Sequence, residues 1–152
     1  MLPGGGPVSI RGEFHMTPGF VAAILEARAV LIFTRVLLTF MFWGAGLGIL
    51  VNFGESVEIM RSLGFSQHEL VVIATAATQL IGSALVIWGR YVWLGAGMLG
   101  VFTFLTILLI HNFWAMPEGP QKVNSFHTFT EHLSVIGALI LVSIAMHRRS
   151  GN

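Results

Sequence analysis

LVVIATAATQLIGSALVIW, residues 70–88, runs for nineteen residues without a charged side chain. Coiled as a helix at about 1.5 Å per residue it covers about 29 Å, the thickness of a bilayer's hydrocarbon layer. Three further segments pass the same test, near 30–53, 91–110 and 126–147. Composition agrees, with 55% of the 152 residues strongly hydrophobic, 10% charged and a mean hydropathy of +0.81. A soluble domain carries about 25% charge and could not hide that much apolar surface. The expected fold class is therefore all-α, a four-helix transmembrane bundle forming a single domain over residues 17–152, with the lipid bilayer as its first partner.

Small residues recur at four-residue spacing in three of these segments: Gly44 and Gly48 with Gly46 between them, Ala74, Thr78 and Gly82, and Ala96 and Gly100. Such residues let helices approach closely where no hydrophobic effect separates helix from lipid. The last segment is anomalous. Its uninterrupted apolar run, Leu133 to Met146, has 14 residues, and about 21 Å is too short to cross. Starting the helix at Ser125 or Phe126 repairs the length, but draws His127, Glu131 and His132 into the edge of the bilayer. Ionisable groups at that depth are costly and mark a functional-site hypothesis.

Basic residues give the topology. With the amino terminus cytoplasmic, Arg11, Arg28, Arg35, Arg90, Arg148 and Arg149 lie on or near the inner side, six of eight, and only Arg61 and Lys122 lie outside. Both termini are then cytoplasmic. Five of the seven glutamates, Glu55, Glu58, Glu69, Glu118 and Glu131, fall on the outer face. The net charge of +1 comes with no basic cluster of the kind that binds nucleic acid.

The connecting segments read quickly. Residues 1–16, with PGGGP, have the composition of a flexible tail and lack the charged start and short apolar core of a cleaved signal peptide. Thr17-Pro18 suits the cap and first turn of an amphipathic extension of the first helix, with Phe20, Ile24, Ala27 and Leu31 on one stripe continuing into the membrane. GESVEIMRSLG, residues 54–64, predicts a short surface helix with Val57, Met60 and Gly64 on one side, ended by Gly64. Ser66 and Glu69 have the spacing of a capping box for the second span. WGRYVW, residues 88–93, is a tight inner turn with Trp88, Tyr91 and Trp93 at the headgroup belt.

Cysteine is absent. That removes thiolate-held iron–sulfur clusters, covalently attached c-type haem, dithiol chemistry and disulfides. There is no glycine-rich phosphate loop, no nucleophile elbow, and no helix carrying the Glu-x-x-His pair of a di-iron bundle. Redox chemistry would need a cofactor held by nitrogen and oxygen ligands, or a partner.

Heights narrow the candidates. Arg90 to His111 and Arg148 back to His127 are both 21 residues, so both imidazoles stand about 31 Å above the inner interface. At 100° per residue, His127, Glu131, Ser134, Ala138 and Ala145 share one stripe of the last helix, whose small residues suggest the packed side, and His111 lies within about 20° of Gly100. His132 is about 140° from His127 and is expected to face a different neighbour. The candidate site is therefore His111, His127 and Glu131, closed by the loop with Trp114. These groups suit a zinc or ferrous ion, a hydrogen-bonded quinone head group, or a proton relay. They equally suit interfacial residues that tie two helices to each other, to headgroups and to water. Gln79, near the midplane with Thr75 and Ser83 on its face, reads as an interhelical hydrogen bond or part of a transport path. Arg35 either snorkels or pairs with an anionic head group or a quinone carbonyl. Trp43 reads as packing.

An arginine opening the first of four spans, TQLIGSALVIWGR at 78–90 and IHNFW at 110–114 together resemble the DoxX family of bacterial membrane proteins, over roughly residues 30–146. The resemblance implies a small multi-pass protein of the bacterial inner membrane. Some family members are similar to the quinone-linked subunit of a thiosulfate oxidoreductase, and others are associated with redox-stress complexes. It carries over His111, Asn112, Phe113 and Trp114 as the motif and implies a quinone-proximal redox partner. The chain departs from the family pattern where a lysine often follows the first-span glycines and here stand Leu47, Ile49 and Leu50. Gln79 stands for a glutamate, and in Phe129-Thr130-Glu131-His132-Leu133 a lysine and an asparagine have become Glu131 and His132, which implies a lineage-specific role for that pair. Three functions follow as expectations. One is a subunit without independent catalysis that anchors or assembles a larger membrane complex for electron transfer, with the other subunits as partners. The second is a quinone-contacting oxidoreductase subunit using His111, His127 and Glu131. The third is a small transporter or proton path through Arg35, Gln79 and Glu131.

Overall fold

The computed structural model describes residues 17–150, so the expected tail at 1–16 lies outside the described residues. The chain forms two compact units, one ending at Leu31 and one running from Ile32. In the first, α1 (Gly19–Glu26) starts on the carbonyl of Pro18, which accepts the amides of Val21 and Ala22 at 2.9 and 3.1 Å. Phe20, Ile24 and Leu25 are exposed. The helix stops at Ala27, whose backbone is extended at φ −61°, ψ 129°, and α2 (Arg28–Leu38) follows. The expected continuous stripe from Phe20 to Leu31 is therefore broken, and nothing in the local sequence explains the break, since alanine is the best helix former.

α2 passes into the second unit and is joined at Thr39 to α3 (Phe40–Val51) with a bend of 52°. Neither proline nor glycine causes it. The Thr39 side chain, fully buried, donates back to the Arg35 carbonyl at 2.8 Å, and the indole N–H of Trp43 donates to the Val36 carbonyl at 3.3 Å. Threonine back-bonding of this kind bends helices, and Trp43 closes the gap that opens, a role beyond packing. After α4 (Phe53–Ser62) come α5 (His68–Trp88) and α6 (Val92–Leu109), then a 3₁₀ turn (Phe113–Ala115) and α7 (Pro120–Ser150). Among the described residues three helices are long and apolar enough to cross a membrane, and the bent α2–α3 pair passes the same test taken together, which makes three to four candidate spans.

α4 ends at Gly64 as the sequence predicts, with Val57 buried. The capping box does not form. α5 starts at His68 after Gln67, so Glu69 is the second helical residue rather than the third, and no side chain caps the helix. α7 begins six residues before the expected 126, with Pro120 in the first turn, where its missing N–H costs nothing. At 31 residues it is about 46 Å long and exceeds the hydrocarbon by about ten residues.

One core gathers Phe42 of α3, Val86 of α5, Val92, Ala96 and Leu99 of α6, and Leu139 of α7. α5 and α6 approach most closely through glycine. A Cβ on Gly95 would lie 2.6 Å from the Gly82 carbonyl oxygen, and one on Gly82 would lie 2.8 Å from Leu99. Gly46 of α3 meets Leu80 in the same way, at 2.9 Å. Gly44, Gly48 and Gly100, counted on as packing residues, have nothing within 4 Å, and Ala74 is exposed. α7 packs on α6 and on the 3₁₀ turn.

Candidate functional site

α7 presents Ser125, His132, Leu139 and Met146 to the bundle. A step of seven residues turns a helix by only about 20° short of two full turns, so these residues line up. Val135 and Val142 flank them, partly buried. On α6, Thr103 and Thr106 satisfy carbonyls within their own helix, at 2.7 and 2.8 Å. Helical rise then stops at Leu109, because the amides of Ile110 and His111 both turn back to the Thr106 carbonyl, at 2.9 and 3.1 Å.

This turn sets the His111 ring edge-to-face on His132, with centroids 5.3 Å apart and planes at 66°. Both imidazoles are half-buried, and Nδ1 of His132 is buried without a well-formed hydrogen bond. The Asn112 carbonyl accepts the amide of Ala115 at 2.9 Å and starts the 3₁₀ turn. Phe113 enters between α7 side chains, 5.2 Å from both Phe126 and Phe129, while Trp114 stays 53% exposed. Three members of the motif thus have separable tasks: His111 pairs, Asn112 turns the chain, and Phe113 pins the turn to α7.

The expected triad does not assemble. His127 and Glu131 are exposed on α7, and the residue that meets His111 is His132. Small residues misidentified the packed side: Ser134 and Ala145 are exposed, whereas the bulkier Leu139 fills the core at 1% exposure. The seven-residue spacing of His132 from Leu139 was the signal that locates it. Among the described residues no three histidine, aspartate or glutamate side chains come together as metal ligands.

Arg35 belongs to the other end of the bundle. It does not snorkel: it is 8% exposed, its Nη2 donates to Met146 Sδ at 2.9 Å and its Nη1 to the Ile87 carbonyl at 3.5 Å. Gly89 makes room for it. A Cβ there would overlap the guanidinium, and φ of +86° already favours glycine. Met146 is fourteen residues from His132, about 21 Å along α7, so Arg35 and the histidine pair are separate places. Gln79 is buried on the α3-facing side of α5 beside Gly46, and its Oε1 and the nearby Ser83 hydroxyl lack hydrogen bonds. Of the three residues of the transport reading, Arg35 and Gln79 are buried and Glu131 is exposed.

The pair of imidazoles suits hydrogen bonding to a carbonyl or hydroxyl, or exchange of a proton. The sequence profile of DoxX matches residues 30–112, which takes in most of the bent α2–α3 pair, α4, α5, α6, His111 and Asn112 and stops before α7. The chain is also similar to an inner membrane protein of Escherichia coli (strain K12), YphA, with 25% identity over 118 residues, 76% of this chain and 81% of that protein. No solved structure matches. With more than half of its length matched by that profile, the chain belongs to the DoxX family.

Proposed function

We propose that this chain is a subunit without independent catalysis in a bacterial inner-membrane complex, and that it anchors or assembles an electron-transfer assembly through the outward face of α7. The observation that carries this reading is the incomplete burial of that helix. Only 6% of its apolar window is buried within the chain, against 33% for α5. The same helix exposes His127, Thr130, Glu131 and Ser134 near the bilayer edge, and ionisable groups at that depth call for a protein partner or a wet headgroup region. The inner-membrane name of the Escherichia coli relative supports the location. Arg35, Arg90, Arg148 and Arg149 at one end of the bundle support cytoplasmic termini.

Replacing His127 and Glu131 together by alanine is expected to cut recovery of partner subunits in an affinity pull-down from native membranes by at least about tenfold. The isolated variant should unfold within about 0.5 kcal/mol of the parent, since neither residue is packed. Full recovery of partners by the variant, or their absence from the parent, contradicts the reading.

The contact between the two half-buried imidazoles favours a second reading, in which His111 and His132 hydrogen-bond a quinone head group. In that case replacing both histidines by alanine abolishes quinone-dependent turnover of the native complex while leaving its composition intact. Unchanged turnover removes it.

A further inference from the structure

Where the α5–α6 turn meets the last turns of α7, a groove of about 520 Å³ is lined by Arg90, Trp93, Ile144, Met146, Arg148 and Arg149. The three arginines are exposed, and among the described residues none of them has a carboxylate partner; the ion pairs there are Arg61–Glu58 and Lys122–Glu118. A fourth cation stands directly behind the wall. Arg35 is packed against Gly89, which also lines the groove, and bonded to Met146. Its Nε is buried without a hydrogen bond, and Arg149 adds a like charge to its surroundings.

Four guanidinium groups without an anion are complementary to a phosphate, whose oxygens match the planar fork of arginine. The rest of the groove suits something with a tail. Trp93, 68% exposed, and Ile144 are apolar, and tryptophan sits at the depth of lipid headgroups. Basic pockets between transmembrane helices take anionic lipid headgroups for this reason. We propose that the groove binds an anionic phospholipid, with Arg90, Arg148 and Arg149 on the phosphate oxygens, Arg35 supplying positive potential from behind, and Trp93 and Ile144 against an acyl chain. A free phosphate shares the headgroup chemistry and lacks the chain.

The test is a titration of the full protein in mild detergent with dioleoylphosphatidylglycerol, dioleoylphosphatidylcholine or inorganic phosphate, with bound species counted by native mass spectrometry. Phosphatidylglycerol is expected to bind at least about tenfold more tightly than phosphatidylcholine. Arg90→Gln with Arg148→Gln should weaken it by roughly thirtyfold, and Arg149→Gln alone by about fivefold, at about one unit of surface attraction per arginine. Arg61→Gln with Lys122→Gln, outside the groove, should leave binding unchanged, and circular dichroism should show parental helicity in every variant. Equal binding of the two lipids, or phosphatidylglycerol binding that survives both groove variants, overturns the proposal. So does its displacement by an equimolar amount of inorganic phosphate, which would assign the groove to a free anion.

Discussion

Leu139→Ala is expected to lower folding stability in mixed detergent micelles by about 3 kcal/mol, and Leu141→Ala by less than about 0.5 kcal/mol. The two leucines are neighbours but one on the same helix. Leu139 is 1% exposed and belongs to the core cluster with Phe42, Val86 and Leu99, whereas Leu141 is 67% exposed. Truncating the first leaves a cavity where α7 meets the bundle, and its lining loses dispersion contacts on one side. Truncating the second exchanges contacts with detergent for other contacts with detergent. The comparison also tests the rotation of α7. If the stripe of His127, Glu131, Ser134, Ala138 and Ala145 faced the bundle, Leu141 would lie within about 40° of His127 and would be the costly one. Equal losses, or a larger loss at Leu141, would contradict the register described here.

Gly95→Ala should have an effect of similar size, about 3 kcal/mol, while Gly100→Ala on the same helix should be neutral or slightly stabilising. The new methyl at 95 would stand 2.6 Å from the Gly82 carbonyl oxygen and 2.8 Å from Leu85 Cβ. Backbone and Cβ atoms cannot swing aside as a flexible side chain end can. α5 and α6 would therefore have to separate, loosening the closest helix contact of the fold and the Leu99 packing beside it. At Gly100 nothing lies within 4 Å, so alanine only adds helix propensity. Reversible unfolding of both variants under one detergent condition measures the difference, and a Gly95→Ala protein as stable as its parent would show that the two helices are not in backbone contact.

The helices themselves were legible because length and hydropathy in a bilayer are a one-dimensional problem. Nineteen uncharged, mainly apolar residues must span or be buried, and Gly64 and Gly89 mark their turns by chemistry that no other residue supplies cheaply. Which face of a span turns inward was much less legible. In lipid both faces are apolar, so Leu139 and Leu141 look alike in the sequence, and small residues were the only guide. That guide succeeded at Gly46, Gly82 and Ala96 and failed at Gly44, Gly48, Gly100 and Ala145. On α7 the same ambiguity extends to the site, where His132 and not His127 meets His111. The start of α7 was missed because Pro120, Gln121 and Lys122 have loop-like composition, although proline is at home in a first helical turn. The bend at Thr39 arises from side chains bonding to backbone carbonyls, and it leaves no mark in hydropathy at all.

α7 turns His132 inward onto His111 and leaves His127 and Glu131 exposed. The chain has no cysteine, so pairs can be introduced without background. Cysteines placed at 111 and 132 should be joined rapidly by a short bifunctional thiol reagent in native membranes, and cysteines at 111 and 127 should not be. Efficient joining of 111 to 127 with none between 111 and 132 would instead place His127 against His111.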